Sequence, residues 1–274
     1  MTPSFGLIVI GDEILSGKRA DKHLPQFIEL LTARGLSLAY AEYVGDDPAR
    51  ITATLARAFA AARESGDVVF STGGIGATPD DHTRQCAARA LGVELALHPE
   101  AKALIEERMR DMAKEQGVAV APDRHDNLHR LNMGVFPVGA EIIPNPYNKI
   151  PGFRCQAGPG AVHFVPGFPV MAWPMMEWVL DHHYAHWQQK SASLEKSVIV
   201  MGAMEAALTP LMQEIEAAHA GVKVFSLPSV DHPQFGRHIE LGVKGQPDAV
   251  NQAYPALLAG LHQFDLKLGI EIVR

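Results

Sequence analysis

Short apolar runs recur along the first half of the chain and predict strands. Phe5–Ile10 is continuously apolar up to Gly11, and residues 68–71 form a second, mainly apolar run. Runs of this length are typical of strands buried on both faces of a parallel sheet. Residues 36–44 continue the strand-like pattern, so the sequence predicts three strands before residue 72.

Helical spacing separates these predicted strands. Residues 24–31 carry apolar positions at helical intervals before Gly35, residues 51–62 are rich in alanine, and Thr83–Leu91 ends at Gly92. Alternating strands and helices require right-handed crossovers and a parallel sheet with helices on both faces. We therefore predict a doubly wound α/β domain with a mostly parallel sheet.

The remainder of this domain is less regular. Residues 100–115 predict a charged amphipathic helix that forms an arm or an inserted lobe. Residues 136–168 are rich in proline and glycine, with short predicted strands at 141–143 and 162–165. Helix resumes at residues 170–186, and we predict that the first domain covers residues 1–188.

A polar, unpatterned stretch at residues 188–195 marks the predicted domain boundary. The elements expected beyond it are strands at 197–201, 222–227, 238–243 and 266–272 and helices at 206–218 and 249–261. Their βαββαβ order is typical of the ferredoxin-like arrangement. Residues 195–274 are therefore predicted to form a smaller α+β domain.

Composition narrows the class of protein. The 274 residues are 47% apolar and 20% charged, which is ordinary for a globular protein. The net charge of -7 argues against a nucleic-acid partner, because binding to phosphate backbones requires basic residues. With two cysteines and no leader-like start, a cytoplasmic location is expected. No apolar span of about 20 residues is uninterrupted, so no membrane span is expected.

A glycine-rich segment follows the strand at 68–71 and runs into the helix at Thr83. Glycines let the backbone approach a phosphate, and the following helix adds its positive N-terminal dipole. A tight turn capped by Asp and Thr side chains is the alternative interpretation. The candidate phosphate-binding residues are Thr72, Gly73, Gly74, Gly76 and Thr78.

Carboxylates follow three predicted strands. Asp12 and Glu13 follow the first strand, Asp46 the second, and Asp80 and Asp81 lie beyond the glycine-rich segment. The carboxyl ends of parallel strands meet at one edge of the sheet, where ligands bind. Carboxylates beside phosphate would repel it unless a divalent cation bridged them. The pattern therefore predicts a ligand site at this edge.

The ordered motifs resemble the molybdopterin-binding-like domain of the competence/damage-inducible protein A (CinA) family. The segments that carry the resemblance are residues 11–17, 44–47, 72–81, 137–146 and 165–169, with Met171 and Met176. The similarity covers about residues 4 to 180. Glu205, Leu208 and residues 239–241 give a weaker match to that family's small second domain.

The resemblance implies that residues 73–78 bind phosphate or a pterin phosphate, with Asp46 and Asp81 as functional carboxylates. Gly11, Glu13 and Asn145 are counted among the ligand contacts. Related molybdenum-cofactor proteins bind molybdopterin, whereas CinA proteins and the similar domain of eukaryotic FAD synthases are associated with metal-dependent hydrolysis of ADP-ribose or FAD. The related families also imply a homo-oligomer.

From this we hypothesise a pyrophosphatase in which Asp12 and Asp81 hold Mg²⁺, together with Asp46. Asp80 would accept the proton of the attacking water. The rival hypotheses are a binding module for molybdopterin or a nucleotide without hydrolysis, and a regulatory protein that has lost the chemistry.

Three features depart from the family. Ala77 stands where the family often has Pro, and Lys22 and His23 replace a common Thr-Asn pair. The sequence ends at Arg274, so deamidase activity from a further C-terminal domain is not expected.

The loop that contains Asn145, Asn148 and Lys149 has two interpretations. Its amides could recognise the edge of a base or pterin, since amides both donate and accept. Equally, they could form the turn itself.

Overall fold

The computed structural model describes residues 3–119, 125–188 and 194–274. The chain divides into two compact units, Met1–Gln188 and Gln189–Arg274. In the described parts, no helix is both long enough and apolar enough to cross a bilayer.

The first unit is built on a six-stranded sheet in the order β2-β1-β3-β8-β7-β6. Its strands are β1 (Phe5–Ile10), β2 (Leu38–Val44), β3 (Val68–Thr72), β6 (Glu141–Ile143), β7 (Gly152–Ala157) and β8 (Gly160–Val165). Strands β2, β1, β3 and β8 pair in parallel, whereas β7 is antiparallel to both of its neighbours. A separate antiparallel pair joins β4 (Leu95–Leu97) to β5 (Val135–Pro137).

Helices connect these strands. They are α1 (Asp12–Leu15), α2 (His23–Thr32), α3 (Pro48–Ser65), α4 (Thr83–Leu91), α5 (Pro99–Glu115), α6 (His125–Leu131) and α7 (Pro169–His183), with 3-10 turns at Asn132–Gly134 and Ala185–Trp187. Helix α3 begins at Pro48 because Asp47 caps it. The Asp47 carboxylate accepts the backbone N–H of Arg50 at 2.8 Å, and proline is favoured at the first position of a helix. Helix α5 covers the amphipathic helix expected at residues 100–115, and residues 120–124 lie outside the described residues.

Both faces of the sheet are covered. On β1, the side chains of Phe5, Leu7 and Val9 join the core formed with α2 and α7, while Ile8 and Ile10 join the core formed with α3 and α4. Burial of one such side chain stabilises the fold by roughly 1.5–3 kcal/mol. The continuous apolar run of β1 therefore results from burial on two faces, and the predicted doubly wound α/β class is confirmed.

The second unit has βαββαβ order, as the sequence predicts. Its elements are β9 (Leu194–Met201), α8 (Glu205–Ala218), β10 (Val222–His232), β11 (Gly236–Gly245), α9 (Pro247–Leu261) and β12 (Lys267–Val273). The sheet is antiparallel in the order β10-β11-β9-β12. Both helices contribute to a common apolar core with β9, β10 and β11.

Two elements differ from the sequence prediction. Strand β10 was expected to end at residue 227 but continues through Pro228 to His232. Because β10 is an edge strand, it tolerates a residue that lacks an N–H donor. The short helix α1, which directly follows Gly11, was not predicted, since four residues are too few to show helical periodicity.

A buried histidine lies within the first unit. The His163 side chain is completely buried, stacks on Phe70 at 4.9 Å between ring centroids, and its Nε2 lies 2.6 Å from the Tyr184 hydroxyl. Burial, followed by the charge of Arg154, lowers the pKa of His163 well below its ordinary value of 6.5. The folded protein thus holds this imidazole neutral.

We expect the free energy of unfolding to fall as the pH drops below about 6.5, because only the unfolded chain then takes up the proton. One such proton contributes at most about 1.4 kcal/mol per pH unit. Urea unfolding from about pH 7.5 to about pH 5.5 should show a shallower pH dependence in His163→Gln than in wild type. The dependence should not vanish, since burial also lowers the pKa of His23 and His183.

The matched control for the substitution itself is His186→Gln, which changes an exposed histidine of the same unit. An identical slope in His163→Gln and wild type would contradict the assignment.

Candidate functional site

A cleft of about 730 Å³ opens at the carboxyl edge of the parallel strands. Its lining comes from α1, from the turn after β2, from the glycine loop (residues 73–78) after β3, and from the turn between β8 and α7. Open α/β sheets bind their ligands at this edge. The strand ends that the sequence places together thus contribute to one cavity.

The glycine loop is held tightly at its start. Gly73 and Gly74 have φ angles of 96° and 68°, in the left-handed region. A Cβ on Gly73 would lie 2.2 Å from the Ile10 carbonyl oxygen, and one on Gly74 would lie 2.1 Å from the Thr83 hydroxyl. Thr83 donates its hydroxyl to the Gly73 carbonyl (3.1 Å) and its N–H to the Gly74 carbonyl (3.0 Å). Both positions therefore require glycine.

Asp81 and Arg84 fix the far side of the loop. The Thr78 N–H donates to Asp81 Oδ2 at 2.8 Å, and the Thr78 hydroxyl donates to the same oxygen. A Cβ on Gly76 would lie 2.6 Å from that oxygen. The buried Arg84 guanidinium donates to the carbonyls of Gly76 and Asn132, each at 2.7 Å. Asp81 thus stabilises the turn before α4 and also lines the cleft, whereas the N-cap of α4 is His82, without a hydrogen bond from a capping side chain.

Two aspartates lock the neighbouring strand ends together. The Asp12 N–H donates to Asp46 Oδ2 at 2.8 Å, and the Asp46 N–H donates to Asp12 Oδ1 at 3.1 Å. Gly45 permits this contact, because a Cβ there would lie 2.5 Å from Asp12 Oδ1. The carboxylates that line the cleft are those of Glu13, Asp46, Asp80 and Asp81. Asp12, predicted as a metal ligand, lines an adjacent cleft of about 450 Å³ instead.

The carboxylates of the cleft differ in basicity. Desolvation, and then the charges of Asp12, Glu13 and Asp80, raise the pKa of Asp46, while its hydrogen bond from the Asp12 backbone opposes this. Hydrogen bonding within the turn at Thr78, including that from the Asp80 backbone, lowers the pKa of Asp80. Asp46 is therefore the stronger proton acceptor of the two.

A metal ion would need ligands beyond the side chains. In the described ranges, no three Asp, Glu, His or Cys residues lie close enough together to enclose an ion. Mg²⁺ is commonly held by one or two carboxylates together with substrate phosphates and waters. The acidic side of the cleft fits that mode of binding and does not form an all-protein cage.

Gly11 and Thr72, both predicted ligand contacts, are buried behind the cleft surface. The Gly11 N–H donates to the Val44 carbonyl at 3.0 Å, which ties the ends of β1 and β2 together. Within the described ranges the buried Thr72 hydroxyl has no hydrogen-bond partner. Neither residue lines the cavity, and their ligand contacts stay predictions.

Asn145 lines the cleft but uses its amide within its own loop. Its Nδ2 donates to Asn148 Oδ1 (2.8 Å) and to the Ile150 carbonyl (2.9 Å), while its Oδ1 accepts the Tyr147 N–H (3.0 Å). Lys149 has a φ of 64° and forms ion pairs with residues of α5. These contacts correspond to the turn-forming interpretation of the loop.

Sequence reasoning missed the basic and apolar parts of the lining. Lys18 and Arg19 line the cleft, directly after the turn that follows α1. Phe168, Met171 and Met133 add apolar surface. The adjacency of Lys18 and Arg19 to the motif at residues 11–17 was the available signal, whereas the position of Met133 depends on the tertiary fold.

The Lys22 and His23 departure from the family pattern has a structural consequence. Lys22 is exposed, but His23 is buried and its Nε2 lies 3.0 Å from the Gly167 carbonyl oxygen. Desolvation lowers the pKa of His23. His23 therefore supports the turn between β8 and α7 that lines the cleft.

Comparisons with known proteins agree with this architecture. The family described as a probable molybdopterin binding domain matches residues 6–186. A CinA-like protein of Anaeromyxobacter dehalogenans is 34% identical over 220 residues, which are 79% of this chain and 50% of the relative. The chain thus spans about half the length of that CinA-like protein. A protein of Pyrobaculum aerophilum is 29% identical over 250 residues, 89% of this chain and 87% of the relative.

A solved structure is similar to about two thirds of the chain. The crystal structure of the protein CinA, of unknown function, from Thermoplasma acidophilum has a TM-score of 0.53 and 29% identity. The match covers 66% of this chain and 97% of that protein. Since the family match spans more than half of the sequence and contains every strand end that forms the cleft, the chain belongs to the CinA-like proteins of the probable molybdopterin binding domain family.

Proposed function

We propose that this chain is a divalent-metal-dependent pyrophosphatase that acts on a dinucleotide such as ADP-ribose or FAD. One observation carries the proposal: a single cleft joins a glycine loop, a basic pair and four carboxylates. A pyrophosphate ester requires these groups, because it must be neutralised, oriented and attacked by water.

The glycine loop and the basic pair supply the binding of phosphate. The loop is followed, after residues 79–82, by α4, and the N-terminal dipole of a helix favours negative charge. Lys18 and Arg19 add two positive charges to the lining. The buried Arg84 guanidinium adds a third cation behind the loop. Together these groups offset the repulsion between a pyrophosphate and the acidic residues.

Asp81 and Asp46 would hold the divalent metal, Mg²⁺ in our proposal, with phosphate oxygens completing its coordination. When bound, such an ion polarises the phosphoryl group and lowers the pKa of a coordinated water. Asp12 acts in this proposal by holding Asp46 in place through the two hydrogen bonds between them.

The reaction adds one water across the P–O–P bridge. The water oxygen forms a bond to one phosphorus, and the bond from that phosphorus to the bridging oxygen breaks. The bridging oxygen leaves with the second phosphate, so ADP-ribose gives AMP and ribose 5-phosphate. A carboxylate of the cleft accepts the proton released by the water, and Asp80, which does not hold the metal in this proposal, is the candidate for that role.

Asp81→Asn and Asp46→Asn should each lower Mg²⁺-dependent release of AMP from ADP-ribose and FAD by about 100-fold or more, because each removes a charge that acts on the reacting groups. Chromatography of the products over time measures the rates. Glu64→Gln is the control, since Glu64 is exposed and lies roughly 25 Å along α3 from the cleft end.

Wild-type protein that releases no AMP with Mg²⁺, Mn²⁺ or Co²⁺ would contradict the proposal. Tight binding of molybdopterin without turnover would then favour the binding-module hypothesis.

Gly74→Ala should weaken ADP-ribose binding by about tenfold or more, because the added methyl clashes with Thr83 and displaces the loop. The matched control is Gly92→Ala, whose φ is 70° but whose Cβ would meet no atom within 4 Å. Titration calorimetry in EDTA measures both affinities. Equal affinities in the two variants would show that the loop conformation does not determine binding.

A further inference from the structure

One part of the cleft is apolar, and one aromatic side chain dominates it. Phe168 is 56% exposed, although large apolar side chains usually avoid water. Among the described residues that line the cleft, it is the only aromatic one. The other apolar side chains of the lining are those of Ile75, Ala77, Met133, Ile150, Pro151, Pro166 and Met171.

The backbone that carries Phe168 is fixed. The Phe168 carbonyl accepts the N–H groups of Met171 (3.0 Å) and Ala172 (2.8 Å), which anchors it at the start of α7. One residue earlier, the Gly167 carbonyl lies 3.0 Å from His23 Nε2. The exposed ring therefore belongs to a preorganised turn, and only its two side-chain torsions need to be ordered by a ligand.

The same turn adjoins the glycine loop. The Gly73 N–H donates to the Val165 carbonyl at 3.1 Å, and a Cβ built on Gly167 would lie 3.4 Å from the Gly73 Cα. One ligand could thus place its phosphate on the glycine loop and an adjacent flat ring on Phe168. Met171 adds an adaptable, polarisable side chain to the same lining, held by a contact of 3.2 Å from Asn148 Nδ2 to its sulfur.

We propose that Phe168 is a stacking platform for a planar heteroaromatic ring joined to the phosphate that the glycine loop binds, and thereby selects ring-bearing phosphates over ring-free ones. The inference rests on the proposed function in one respect, namely that the glycine loop binds phosphate. It does not require hydrolysis. Stacking of a base on an aromatic side chain tolerates different rings, because each ring offers a π-face.

The test measures binding by the full-length protein in EDTA, with no turnover. The ligands are AMP, FMN, neopterin phosphate and, as the ring-free comparison, ribose 5-phosphate. Phe168→Ala should weaken the preferred ring-bearing ligand by about tenfold and leave ribose 5-phosphate unchanged. Phe168→Trp should restore the affinity, and flavin fluorescence should report stacking of FMN.

Val170→Ala is the control for the fold. Val170 is 53% exposed and lies on the same turn of α7, outside the cleft lining. The ligand that loses most affinity in Phe168→Ala identifies the ring as adenine, flavin or pterin.

Equal affinities of wild type and Phe168→Ala for every ring-bearing ligand would overturn the inference. It would also be overturned if Phe168→Ala weakened the binding of ribose 5-phosphate as much as that of the ring-bearing ligands. If binding depends on Phe168 but no dinucleotide is hydrolysed with metal present, the inference stands and the pyrophosphatase proposal fails.

Discussion

The close approach of Gly73 to the ends of its neighbouring strands is the constraint on which the cleft depends. Its α-carbon leaves no space for a side chain beside the Ile10 carbonyl, and it lies next to Gly167. Strands β1, β3 and β8 can therefore end at one edge with their backbones in contact. The loop that follows Gly73 is held in the same way against Thr83 at the start of α4.

Charge at this edge is arranged on a rigid frame. The reciprocal hydrogen bonds between Asp12 and Asp46 join the ends of β1 and β2, although they place two carboxylates together. Their repulsion is reflected in the raised pKa of Asp46, for which desolvation is the largest cause. Lys18, Arg19 and the buried Arg84 supply opposite charge around the same cavity. The acidic residues thus favour a cation, and the loop favours an anion.

Much of the fold could be predicted, because apolar periodicity directly reports burial on a sheet. The apolar run Phe5–Ile10 predicted a strand that is buried on both faces of the sheet. The pattern of apolar residues in the second unit predicted its βαββαβ order. Strand β10 was predicted too short, since a proline such as Pro228 usually ends a strand. The sequence does not show that β10 lies at the edge of its sheet, where proline is tolerated.

The site was predictable where topology alone positions residues, and less so elsewhere. Glu13, Asp46, Asp80 and Asp81 line one cleft because they follow parallel strands or the glycine loop. Lys18 adjoins the motif at residues 11–17, which was the available signal, whereas Met133 joins the lining through tertiary packing, which carries no local signal.

The location of a bound pyrophosphate tests the central claim most directly. A crystal structure with Mg²⁺ and an ADP-ribose analogue whose bridging oxygen is replaced by methylene would show it. We predict phosphate oxygens within hydrogen-bond distance of the backbone N–H groups of the glycine loop, and the metal between those oxygens and the carboxylates of Asp46 and Asp81. An analogue bound away from the glycine loop, for example in the adjacent cleft beside Asp12, would contradict the account.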